Sequence, residues 1–205
     1  STGIFMTLEG GEGSGKTTQA RRLCERLTAQ GLNVLHTREP GGTLLAERLR
    51  SILLDHSGET IAPETEACLI FAAGRQHVDH VIKPALARGV TVVCDRFSDS
   101  TMAYQGYGRG LDLRILRTMN DWATGKLAPQ LTLLFDVPVA VGLSRRRSRT
   151  ATQNRLDREA ERFHRKVRAG FQVLARQESR SIMVIDSAQP LESETQTVEE
   201  LGLNW

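Results

Sequence analysis

Gly10-Gly11-Glu12-Gly13-Ser14-Gly15-Lys16-Thr17 has the spacing G-x-x-x-x-G-K-[ST], in which backbone N–H groups surround the phosphates of a nucleoside triphosphate. Lys16 is the residue to contact the β- and γ-phosphates, and Thr17 supplies a hydroxyl for Mg²⁺. After Thr18, the residues Ala20, Leu23, Cys24 and Leu27 recur at helical spacing, so the loop opens a helix whose N-terminus favours anions. The apolar run Ile4 to Leu8 in front reads as a strand. Strand, glycine loop and helix are the context the motif demands; a purely structural glycine turn is the competing explanation.

Further chemistry lies at the ends of two other apolar runs. Thr37-Arg38-Glu39-Pro40-Gly41-Gly42-Thr43 forces a turn with Pro and Gly and places Arg38 at its entry, where a second phosphate-bearing ligand would explain it. Asp95 ends a run beginning at Thr91, the position from which a carboxylate holds or orients Mg²⁺ and its water shell. Arg96 beside it suits an acceptor phosphate. Ser98, Ser100, Thr101, Tyr104 and Gln105 are neutral donors and acceptors suited to a base or a sugar, although a helix N-cap would also account for Ser98 or Ser100. Arg145-Arg146-Arg147-Ser148-Arg149 is a dense cationic run. Downstream, Arg155, Arg158, Arg162, Arg165 and Arg168 alternate with Asp157, Glu159 and Glu161, the pattern of a solvated face with i,i+4 pairs.

Positioning these residues takes a regular scaffold. Strand candidates run Ile4 to Leu8, Asn33 to Thr37, Thr91 to Cys94, Leu131 to Phe135 and Ile182 to Ile185. Helical stretches fall near Thr17 to Gln30, Thr43 to Asp55, Glu64 to Ala87, Asp112 to Thr124, Val139 to Arg147 and Asp157 to Glu178, with a further acidic helix after Pro190. Such alternation implies an α/β fold, a five-stranded parallel sheet flanked by helices, with ligands bound beyond the carboxyl ends of the strands. The 205 residues suit a single domain, and no repeat or linker divides them.

No apolar run approaches the roughly 20 residues that span a bilayer, so no membrane partner is expected. The three cysteines, Cys24, Cys68 and Cys94, read as reduced core thiols of a cytoplasmic protein. A net charge of +3 is modest, and the arginine cluster lacks interleaved aromatics for stacking, which argues against nucleic acid as a partner. A salt-sensitive nucleic-acid module and a P-loop kinase for another small acceptor remain as alternatives. A GTPase is disfavoured because Asn154-Arg155-Leu156-Asp157 lacks the lysine of the guanine-reading motif.

In order along the chain, Glu9 to Thr18, Thr37 to Thr43, Phe71-Ala72-Ala73-Gly74-Arg75 with His77, Asp95-Arg96 with Ser100 to Gln105, and Leu156-Asp157-Arg158 resemble the thymidylate kinases. The resemblance covers essentially the whole chain. It implies a nucleoside monophosphate kinase architecture with a lid over residues 143–157, transfer from ATP with Mg²⁺ to thymidine 5'-monophosphate in dTTP biosynthesis, and a homodimer. It implies that Phe71 stacks on thymine, that Arg75 donates to a thymine carbonyl, and that Thr101, Tyr104 and Gln105 line the nucleoside pocket. Arg38 and Arg96 would grip the acceptor phosphate, and Glu9 would face the sugar or the metal's water shell. Glu12, a non-basic residue inside the loop, marks the bacterial type, in which lid arginines stabilise the transition state. Arg149 is the expected finger, with Arg145 next. The segment Thr150 to Arg155 is longer than the family pattern, which leaves the register of the arginines open.

Overall fold

β-Branched and aliphatic runs bounded by glycine, proline or polar residues become five strands: β1 (Phe5–Gly10), β2 (Val34–Arg38), β3 (Thr91–Asp95), β4 (Leu131–Asp136) and β5 (Ile182–Asp186). The computed structural model describes residues 2–55, 58–149 and 153–203. All strand pairs are parallel, in the order β2-β3-β1-β4-β5. The register sets Asp95 beside Leu8 on one flank and Arg38 on the other, so the carboxyl ends of β1, β2 and β3 form a single edge.

Helices cover both faces. They are α1 (Lys16–Ala29), α2 (Leu44–Leu54), α3 (Pro63–His77), α4 (Lys83–Ala87), α5 (Ser98–Thr101), α6 (Leu113–Thr124), α7 (Val139–Arg149), α8 (Glu161–Gln177) and α9 (Leu191–Leu203). Alternation along β1 decides what each face receives. Met6 and Leu8 pack with Ala20, Leu23 and Leu27 of α1 and Val198 of α9, whereas Phe5 faces Val78, Ile82 and Phe97. Glu9 shares the parity of Phe5 and is drawn into the interior on that side. Pro63 opens α3, where its missing N–H costs nothing. Thr43 caps α2 by accepting from the Ala46 N–H at 3.1 Å.

The long helical stretch expected over 64–87 is α3 and α4 joined through a π-helical turn, Val78–Ile82. A second π-helical segment, Met102–Gly108, extends α5 and has no counterpart in the sequence-based expectation. Its wider turn keeps consecutive residues Tyr104 and Gln105 both buried. Neither Ser98 nor Ser100 caps α5, which Phe97 precedes without a side-chain cap. The cysteines also divide: Cys94 is buried, Cys24 half-buried and Cys68 exposed, so Cys68 is not a core thiol. Among the described residues, no helix is long and apolar enough to cross a membrane.

Candidate active site

The loop leaving β1 turns through left-handed backbone at Gly13 (φ 68°), a conformation glycine adopts without steric penalty. It delivers Lys16 as the first residue of α1, buried, with Nζ only 3.4 Å from the Gly11 carbonyl. Burial and the neighbouring Arg96 guanidinium depress the Lys16 pKa. An ammonium held this way, with one long hydrogen bond among the described residues, gains strongly from an anionic phosphate. Thr17 Oγ1 donates to Asp95 Oδ2, while Asp95 Oδ1 is buried and has no hydrogen-bond partner among the described residues. A hydroxyl and a carboxylate with an unsatisfied buried oxygen form the hard oxygen set that Mg²⁺ takes alongside nucleotide phosphates. The residues therefore fit the ion, and no larger carboxylate cluster is required.

Arg96 organises the groups beside the glycine-rich loop. It is a non-glycine residue at φ 71°, held there by several bonds at once. Its Nη1 donates to the Gly10 carbonyl at 2.8 Å and Ser100 Oγ at 3.0 Å; its Nη2 donates to Glu12 Oε1 at 3.1 Å and the Tyr104 hydroxyl at 3.2 Å. Tyr104 in turn donates to Glu12 Oε1 at 2.8 Å. Burial pushes the Glu12 carboxyl up, but Arg96, Lys16 and the Tyr104 hydroxyl outweigh it and hold the group at about 2. Glu12 thus fixes Arg96 and Tyr104 relative to the phosphate loop.

A cavity of about 340 Å³ opens over this edge. Lys16, Thr17, Arg38, Asp95 and Arg96 line it together with Ser100, Thr101, Tyr104 and Gln105. Arg38 is braced by Glu47 at 2.9 Å. The turn behind it is locked by buried His77, whose Nε2 lies 2.7 Å from Thr37 Oγ1 and whose Nδ1 lies 2.9 Å from Glu39 Oε1.

Several expected residues are placed elsewhere. Phe71 is buried in the core and Arg75 pairs with Asp79 at 2.6 Å on the outer side of α3; neither lines the cavity. The cavity face of that helix carries Glu66 and Ile70 instead. Glu9 is also absent from the wall. It lies beneath, accepting from the Phe97 N–H at 2.7 Å and from Ser100 Oγ, and burial with the Asp99 carboxylate raises it to about 8. Arg145 turns away, donating to the Ser187 carbonyl at 2.7 Å. The side chain of Arg149 lies outside the described residues. The solvated i,i+4 ladder expected after Arg155 holds only for Glu161–Arg165, since Asp157 pairs with Arg146 and Glu159 with Arg109.

Sequence reasoning passed over Arg50 and Glu66 and gave Arg146 and Arg155 no site role of their own; all four are on the cavity wall. Glu66 is nearly fully buried and accepts from Gln105 at 2.7 Å, from Arg109 at 3.1 Å and from Arg155. Its only sequence signal was a carboxylate on the inward face of an amphipathic helix, one turn before Ile70. Burial opposes ionisation of Glu66, and the three donors prevail and lower its pKa.

The family model for thymidylate kinase matches residues 8–198. A thymidylate kinase of Pseudomonas fluorescens is 49% identical over 200 residues, covering 98% of this chain and 95% of the relative. One from Thermomicrobium roseum is 53% identical over 188 residues, covering 92% and 89%. The crystal structure of the Ehrlichia chaffeensis thymidylate kinase superposes with a TM-score of 0.78 at 33% identity, over 98% of this chain and 99% of that one. A complete phosphate-loop motif, a cavity beside it and likeness over nearly the full length converge on one conclusion: the chain belongs to the thymidylate kinase family.

Proposed function

We propose that the cavity holds thymidine 5'-monophosphate with its phosphate between Arg38 and Arg96, facing ATP on the phosphate loop. The enzyme is a dTMP kinase, which moves the γ-phosphoryl group of ATP onto an oxygen of the acceptor phosphate. One observation carries the geometry: Lys16 and Thr17 of the donor loop and Arg38 and Arg96 of the acceptor grip line the same cavity.

The nucleophile is already anionic at neutral pH, so positioning and charge neutralisation do the work. Lys16 meets charge on the β/γ-phosphates. Mg²⁺, for which Thr17 Oγ1 and Asp95 are the fitting groups, supplies further neutralisation when bound. Arg96, immobilised by Glu12 and Tyr104, aligns the attacking phosphate. Tyr104 packs beside the sugar, and Thr101 and Gln105 contact the nucleoside. Arg149 at the end of α7 approaches the transferring group as the finger, with Arg146 on the cavity wall as the next candidate. Glu9 acts from below, setting Ser100 and thereby Arg96.

Trp122 and Ile115 are 77% and 60% exposed and lie two helical turns apart on α6, a surface suited to a second copy of the chain. Three free thiols suit the cytoplasm.

The test is phosphoryl transfer from ATP to the monophosphates of thymidine, uridine, cytidine, adenosine and guanosine. The expected result is selective turnover of thymidylate, dependent on Mg²⁺ and abolished by Lys16→Ala with the fold retained. Light scattering checks the dimer.

A further inference from the structure

We propose that His164 is a positioning residue: through one buried water, held in a small cavity beneath the glycine-rich loop, it fixes Glu12 and with it Arg96 and Tyr104. The effect on turnover rests on the assignment of the larger cavity to thymidylate; the water site itself does not.

The sequence of α8 brings the imidazole inside. His164, Val167 and Phe171 recur at spacings of three and four residues, so they share the buried face of the helix, and all three line a cavity of about 20 Å³. That is room for a single water, which needs roughly 10–15 Å³. Gly11 and Glu12 of the loop leaving β1 line the same cavity. Glu12 also lines the larger cavity, so it borders both.

The polar groups on this wall leave one bridge to be made. Asp136 and Arg168 satisfy each other through bonds of 2.7 and 3.0 Å, and the remaining side chains, Leu143 and Phe171 among them, are apolar. His164 is only 5% exposed, and its Nε2 has no partner among the described residues. Glu12 takes both of its donors, Arg96 and Tyr104, on Oε1; among the described residues no group donates to Oε2.

The chemistry of the two groups selects water. Burial lowers the His164 pKa, although Glu12 opposes it, so the ring is neutral at neutral pH. The Glu159 backbone carbonyl favours the proton on Nδ1, which leaves Nε2 an acceptor. The Glu12 carboxyl, held at about 2, is ionised and also only accepts. Two acceptors cannot bond each other, whereas a water has two protons to give, one to each. The last torsion of a glutamate is broad, so donors on one oxygen alone leave the carboxylate plane free to swing. Donation to Oε2 fixes that plane, and with it the bonds from Oε1 to Arg96 at 3.1 Å and Tyr104 at 2.8 Å.

A high-resolution crystal structure of the wild type should show one water within hydrogen-bond distance of both His164 Nε2 and Glu12 Oε2. Kinetics and melting curves are measured alongside for His164→Phe and His164→Gln. His164→Phe keeps a ring against Phe163, whose centroid lies 5.5 Å from that of the imidazole, but offers no acceptor. Its kcat for thymidylate should fall about tenfold, the scale of a hydrogen bond to a charged group, with the ATP KM within about twofold and the melting temperature unchanged or raised. His164→Gln, whose amide reaches the place of Nε2, should recover most of the loss. In a Glu12→Ala background, His164→Phe should change kcat no further. A dry cavity, a water bonded to only one of the two groups, a wild-type kcat in His164→Phe, or an equal loss with and without Glu12 overturns the proposal and leaves His164 a packing residue. A bridging water in an enzyme that does not phosphorylate thymidylate would uphold the water site and overturn the assignment of the larger cavity.

Discussion

Gly13 of the phosphate loop and Gly142 of α7 meet backbone to backbone. A Cβ on Gly13 would lie 1.9 Å from the Gly142 carbonyl oxygen, and one on Gly142 would lie 2.2 Å from the Glu12 carbonyl oxygen. The helix that ends in the arginine run is thus seated directly on the glycine-rich loop.

Gly142→Ala should separate them. The added methyl meets backbone, which cannot rotate away, so the loop or the helix must shift. Overpacking of this kind costs about 1–3 kcal/mol, and misplacing a catalytic loop by an ångström costs on the order of 10²-fold in rate. Steady-state kinetics should show kcat falling far more than folding stability suggests, whereas Gly58→Ala, whose methyl meets none of the described residues, should do little. Equal behaviour of the two variants would separate the contact from catalysis.

Arg149→Ala tests the finger. A contact made only in the transition state lowers kcat and kcat/KM together, and an arginine finger is worth about 10³–10⁵ in rate. The expected loss is in that range, with thymidylate KM changed by less than about threefold. A normal kcat would transfer the role to Arg146, and the same assay on Arg146→Ala would then show the loss. That second variant also breaks the Arg146 to Asp157 bonds of 2.8 and 3.1 Å, so its melting temperature should drop as well.

Phe71→Ala should act on stability and leave recognition alone. The ring is only 6% exposed and packs in the core cluster with Met102 and Tyr104, so truncation should cost about 3–5 kcal/mol. Chemical denaturation measures this. The thymidylate and ATP KM values of the folded fraction should move together. Selective loss of thymidylate affinity would restore a stacking role to Phe71.

Glu9 makes stability depend on pH with a definite sign. Its pKa rises from 4.5 to about 8 on folding through burial and the Asp99 carboxylate, so the folded state binds the proton more tightly than the unfolded chain. Its contribution is complete below pH 4.5 and is lost as pH rises toward 8. Glu9→Gln removes the titration. The variant should melt close to wild type at pH 5 and above it at pH 8.5, by about 5 °C or more. A constant difference across that range would show that Glu9 is not the titrating group.

The sequence alone determined much of this protein, because some signals are local. The glycine spacing that shapes the phosphate loop, the β-branched runs and the helical periods each depend on a few adjacent residues, and the sheet edge that gathers Arg38, Asp95 and Arg96 follows from parallel register. Helix rotation is not local in that sense. Phe71 and Arg75 differ from the cavity-facing positions by a single residue, and only packing against α2, α6 and the π-helical segments decides which side turns inward. The arginine pairings are similarly tertiary. Arg155 reads as one cation of a solvated face until the fold sets it against Glu66 on α3, 89 residues earlier in the chain, and the same chain reversal turns Asp157 from a helix-surface acid into the partner of Arg146. Burial makes those choices, because a carboxylate nearly withdrawn from water must find its donors wherever the fold brings them.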